Sequence, residues 1–141
     1  MKHPYAVPDQ MTPDLTRVLA YWQGLRRGEA QMPFWDDARL TDLPDLRDRL
    51  FLVDVFSGPE RFRLGDVGEA LAKGGSPGWF LDEVELGAPL DFLRSQASAT
   101  VECAAPTLFT HEGGDGAQGY ARLLLPMWGD GRIGMLLGAI A

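Results

Sequence analysis

The chain has 141 residues, enough for one ordinary domain, and its 45% hydrophobic and 23% charged content is globular rather than disordered. Thirteen basic against twenty acidic side chains leave a net charge of −7, a surface that repels phosphates, so neither nucleic acid nor an anionic membrane is an expected partner. The single Cys103 excludes an internal disulfide and a cysteine-built metal site, and no apolar run has spanning or secretory character, so a cytoplasmic location is expected.

Residues 1–11 carry two prolines and no periodicity, which reads as a flexible arm; residues 12–141 read as a single domain. Thr12-Pro13-Asp14 starts a helix: a hydroxyl cap, a proline suited to the first helical position, and a carboxylate at the positive end of the dipole. Leu15, Val18, Leu19, Trp22 and Leu25 then form one apolar stripe, closed by Arg26-Arg27-Gly28. Met32-Pro33-Phe34-Trp35 is extended, and Asp36 or Asp37 caps short helical turns carrying Leu40, Leu43, Leu46 and Leu50.

Leu50 to Phe56 is a strand by β-branched and aromatic content, and Ser57 to Glu60 turns it into Arg61-Phe62-Arg63-Leu64. Strict alternation faces Phe62, Leu64 and Asp66 one way and Arg61 and Arg63 the other. A break at Gly65 that turns Asp66 to solvent is the preferred alternative to a buried carboxylate. Glu69 to Lys73 makes one or two turns, and Gly74 to Gly78 breaks all regular structure. Pro89 is expected to open a helix with Leu90, Phe92, Leu93 and Ala97, ending near Glu102. Strands follow at Thr107–Thr110, Tyr120–Met127 and Ile133–Ile140, the last two joined by the tight turn Gly129-Asp130-Gly131.

This order implies an α+β domain: a five-stranded antiparallel sheet with helices on one face. Leu124, Leu136 and Ile140 need cover, and the stripe of the first helix is expected to supply it, within the chain or on a partner. Leu15, Val18, Leu19, Trp22, Leu124, Leu136 and Ile140 are thus the candidate interface. The opposite face is expected to hold a core or a ligand cavity lined by Phe62, Asp66, Trp79, Phe92, Leu123, Met127 and Met135, suited to a small apolar molecule.

The ordered elements, from about Leu19 to Ile140, resemble a PAS-like domain of the single-domain group common in alphaproteobacteria. The residues that carry the resemblance are Tyr21-Trp22, Leu25-Arg26-Arg27-Gly28, Pro33, Leu50 to Val55, Arg61-Phe62-Arg63 with Gly68, Tyr120 to Pro126, Asp130-Gly131 and the strand Gly134 to Ile140. The resemblance implies a sensory or interaction module rather than an enzyme. Because the closing strand ends the sequence, it is expected to signal in trans, as a homodimer or on a signalling partner. The family's flavin-binding members need a cysteine within Asn-Cys-Arg, whereas Cys103 precedes Ala104-Ala105-Pro106. Its haem-binding members need a histidine on a helix, whereas His3 and His111 fall in an arm and a loop. Neither cofactor is expected.

Two G-x-G-x-x-G runs, Gly114 to Gly119 and Gly129 to Gly134, lead into strands rather than helices, the wrong context for a dinucleotide. His111, Glu112 and Asp115 read as a solvated hairpin tip rather than a metal site, and no metal is expected. The competing reading is a small isomerase or dehydratase with Asp66 as general base and Tyr120 converging on it.

Overall fold

The computed structural model describes residues 5–113 and 119–141. Helix α1 spans Pro13–Gly24, and the Thr12 hydroxyl accepts from the Leu15 amide at 3.5 Å, as the capping sequence requires. Three 3-10 turns follow, at Trp35–Asp37, Leu40–Asp42 and Arg47–Arg49. Strands β1 (Leu50–Phe56) and β2 (Arg61–Val67) form the early hairpin. After a 3-10 turn at Glu69–Leu71 and an irregular crossing comes α2 (Leu93–Cys103), then β3 (Thr107–His111), β4 (Tyr120–Gly129) and β5 (Arg132–Ile140). The five strands make one sheet in the order β2-β1-β5-β4-β3, antiparallel throughout. With α2 on one face and α1 on the other, this is the α+β architecture, one five-stranded antiparallel sheet, that the order of elements implies.

Helix α2 begins four residues later than the proline signal indicates. Phe92 sits in the left-handed region at φ 61°, which no helix interior tolerates, so Pro89 and Leu90 belong to a preceding turn. At the β4–β5 hairpin, Asp130 and Gly131 both take positive φ, as a tight two-residue turn with the twist of its strands demands.

Cross-strand register fixes which residues share a face, and it reverses one expectation. Val53 lies opposite both Leu64 and Leu136, and Leu124 lies opposite Gly138. Leu124, Leu136 and Ile140 therefore join Phe51, Phe62, Leu64, Leu90 and Leu93 in the core beneath α2, here the inner face. Helix α1 instead buries Leu15, Val18 and Trp22 against Leu123, Leu125, Met127 and Leu137 on the outer face, with Leu19 and Met135 half-buried beside them. Simple alternation groups Leu123, Leu125 and Met127 in β4 and Met135 with Leu137 in β5, as the structure does, but a bulge between Met127 and Trp128 moves Ile133 to the inner face. The side was not legible, because both faces of these strands are equally apolar and only register to β1 separates them.

Both sheet edges are covered. The Tyr5 carbonyl accepts from the Leu108 amide at 2.7 Å and Ala6 bridges to Thr107, so the segment read as a flexible arm is tied along β3 at these residues. On the far side, Gly78 to Leu81 exchanges backbone hydrogen bonds with Phe62 and Leu64 of β2.

Candidate functional site

The two residue sets proposed from sequence do not stay together. Of the pocket set, Phe62 lies in the inner core, whereas Leu123, Met127 and Met135 lie under α1 on the outer face. Trp79 is 39% exposed on the edge segment, and Phe92 is 65% exposed because its left-handed backbone turns the ring outward. Asp66 is exposed: between the pairs Phe51–Val67 and Val53–Leu64, β2 holds one residue more than β1, and this bulge at Gly65-Asp66 swings the carboxylate to solvent. Of the interface set, Leu15, Val18 and Trp22 are buried on the chain's own sheet, and Leu124, Leu136 and Ile140 are buried on the other face. The apolar stripe is consumed internally because it matches the outer face of β4 and β5.

Asp66 and Tyr120 do not converge. Tyr120 opens β4, three strands away from the β2 that carries Asp66, and its hydroxyl hydrogen-bonds the Asp91 carboxylate. A base-and-phenol pair of isomerase type is not assembled by these residues. The glycine run Gly129 to Gly134 lies in the β4–β5 hairpin and meets no helix, while Gly114 to Gln118, with Asp115, lie outside the described residues, as does His3. Among the described residues no group of three His, Cys, Asp or Glu side chains is placed to hold a metal, and no helix is long and apolar enough to cross a membrane.

The structure assembles a polar site elsewhere, around Arg122. This side chain projects from β4 onto the inner face, opposite Phe109 and Ile140, and is fully buried. Its Nε donates to Gln96 Oε1 at 2.7 Å, and its Nη1 donates to the carbonyls of Pro89 and Asp91 at 2.9 and 2.8 Å. Gln96 Nε2 returns bonds to the Arg122 carbonyl at 3.0 Å and to Thr107 Oγ1 at 3.1 Å. Thr100 closes the network, donating to the Gln96 carbonyl at 2.8 Å and meeting Thr107 Oγ1 at 2.6 Å. Gln96 and Thr100 fall one turn apart on α2, so the helix is bound to β3 and β4 by polar contacts inside an apolar layer. Burial pulls the Arg122 guanidinium down to about 10, an effect that nearby Tyr120 and Asp91 only partly offset.

Aromatic rings surround this cation. The Phe109 ring centroid lies 4.7 Å from the guanidinium carbon, a favourable stack for an arginine removed from water. Tyr5, Phe92 and Tyr120 pack around Phe109 at 6.1–6.4 Å, and His111 stacks on Tyr120 at 5.1 Å. Burial, reinforced by the bond to Asp91, pushes the Tyr120 phenol up to about 12, so it keeps its proton past the pH at which a free tyrosine loses it.

Beside this cluster opens a cleft of about 440 Å³, floored by Leu71, Pro89 and Ile140 and flanked by Tyr120, His111 and Arg49. It lies at the end of the inner face rather than beneath its centre. The centre is filled by the Phe51 ring, which packs directly onto Gly138, where a side chain of any size would collide with it. The sequence signal for Arg122 was its isolation: a lone cation between Ala121 and the run Leu123-Leu124-Leu125, in a strand buried on both faces. Gln96 and Thr100 carried no such mark.

No protein-family model matches the chain, and no curated protein matches it. Among solved structures it is similar to an RNA-binding light-oxygen-voltage receptor, at 20% identity and a TM-score of 0.38, over 66% of this chain and 29% of that one. The chain thus corresponds to under a third of that receptor's length. So loose a superposition says nothing of activity or partner, and the architecture described above rests on the strand order and register themselves.

Proposed function

We propose that the chain is a PAS-like sensory and interaction module, which binds a small molecule in the cleft beside Tyr120 and relays its occupancy to a partner protein. The observation that supports this reading is the cleft itself: about 440 Å³ of mostly apolar space where two 3-10 turns, the crossing segment and the ends of β3, β4 and β5 meet, flanked by a polar cluster. The middle of the sheet, by contrast, offers no such space, because the Phe51 ring fills it.

The partner in this reading is a second copy or a signalling protein, and it contacts surfaces other than the seated apolar stripe of α1. Native mass spectrometry of freshly purified protein tests the ligand half. A retained small molecule, or a thermal upshift from a library of small apolar and amphiphilic compounds, is the expected result. A chain that carries nothing and responds to nothing overturns it. Light scattering with and without ligand then separates a homodimer from a monomer that awaits another protein.

A further inference from the structure

Arg122 poses an electrostatic problem that the fold leaves unsolved. A guanidinium carries five N–H groups. Its Nε and Nη1 are satisfied, but Nη2 is buried and has no acceptor among the described residues. The three acceptors it does have are a side-chain amide and two backbone carbonyls, all neutral. Among the described residues no carboxylate forms an ion pair with Arg122, and the Asp91 carboxylate is engaged by the Tyr120 hydroxyl. Buried cations are ordinarily paired, because an unmatched charge away from water is strongly disfavoured. Among the described residues Nη2 therefore lacks a hydrogen-bond partner, and the charge, eased only in part by the nearby Asp91 carboxylate, has no direct ion pair.

The cleft shares a wall with this atom's surroundings. Pro89 lines the cleft and gives its carbonyl to Arg122, Ile140 lines it and is the cross-strand neighbour of Arg122, and Tyr120 lines it from the same face of β4. The arginine that lines the cleft itself, Arg49, already has a carboxylate, Asp14, at 2.7 Å, whereas Arg122 lies behind Tyr120 and Pro89. One unmatched guanidinium above an apolar floor fits a single negative charge on an apolar body.

We infer that the cleft takes a small amphiphilic carboxylate, its apolar part on Leu71, Pro89 and Ile140 and its carboxylate on Arg122 Nη2, reached when the Tyr120 ring turns aside from Asp91. This rests on the small-molecule reading above and specifies its chemistry. A more highly charged anion is disfavoured by the single free guanidinium and by the net charge of −7.

The test uses octanoate and 1-octanol, matched in chain length and differing in charge, titrated calorimetrically into the full chain at neutral pH. Octanoate is expected to bind tighter by about tenfold or more, the scale of a charge-assisted hydrogen bond in a buried setting. In the wild-type protein it is also expected to shift the Arg122 Nε–H resonance, a readout that needs no variant to fold. Arg122→Met is expected to cancel the preference for octanoate while keeping octanol binding. Equal binding of the two probes overturns the carboxylate inference and leaves the small-molecule reading standing. Binding of neither overturns both. A preference that persists in folded Arg122→Met overturns the assignment to Arg122 and moves it to Arg49.

Discussion

Arg122 and Gln96 illustrate how a polar pair inside an apolar layer fixes one packing arrangement rather than adding bulk stability. Gln96 is acceptor to Arg122 Nε and donor to the Arg122 carbonyl and to Thr107, so its loss strands several buried groups together. Gln96→Leu is expected to cost about 2–3 kcal/mol in urea denaturation, the scale of a buried hydrogen-bonding group left unmatched beside a charge. Tyr120 gives a pH signature. Its pKa is raised from 10 to about 12, so below pH 10 folded and unfolded chains both hold the proton, and between 10 and 12 only the unfolded chain releases it. The contribution is complete at neutral pH and is lost as pH rises through that window. Arg122, lowered from 12.5 to about 10, acts in the opposite sense, because there the unfolded chain binds the extra proton. The stability advantage of wild type over Tyr120→Phe is therefore expected to shrink as pH rises from 10 to 12, a difference in which the Arg122 contribution cancels, as read from denaturant melts of both proteins at successive pH values.

Among elements, α1 is anchored as much by one polar contact as by its stripe. Trp22 Nε1 donates to the Pro126 carbonyl at 2.8 Å in a buried setting, and Tyr21 bonds Asp42 at 2.7 Å on the helix margin. Trp22→Phe keeps most of the apolar volume but leaves that carbonyl without its donor, and is expected to cost about 1–2 kcal/mol by chemical denaturation. Leu15→Ala opens a void between helix and sheet and is expected to cost about 2–4 kcal/mol in the same assay. The element bounds show what a sequence can disclose. The start and stripe of α1 were legible because cap, proline and apolar spacing agree locally, but the helix ends at Gly24 with Leu25 as its cap, four residues before the Gly28 of the Arg26-Arg27-Gly28 stop that the sequence suggests. Strands β1 and β2 were legible because alternation and turn residues bracket them. The start of α2 was not, because Phe92 holds a conformation that its side chain opposes and only tertiary packing imposes.

In the molecule as a whole, β5 is the middle strand and feeds both cores: Leu136 and Ile140 go to one side, Leu137 and Ala139 to the other. Hydrogen exchange is expected to be slowest along β5 and its two neighbours, β1 and β4, with β3 and β2 opening earlier; the reverse ranking would mean that the two cores do not act as one cooperative unit. The same double burial explains why the candidate site was only partly readable. With leucines on both faces of β4 and β5, no pattern in those strands says which face meets which helix, and the pocket set drawn from them mixed both sides. Arg122 broke that symmetry and was the more informative residue. The ring of Phe51 seated on Gly138 has a consequence for chemistry as well as packing. With the deepest berth already taken by the protein's own benzene ring, recognition is pushed out to the sheet's margin, where guests come and go without the core having to be dismantled.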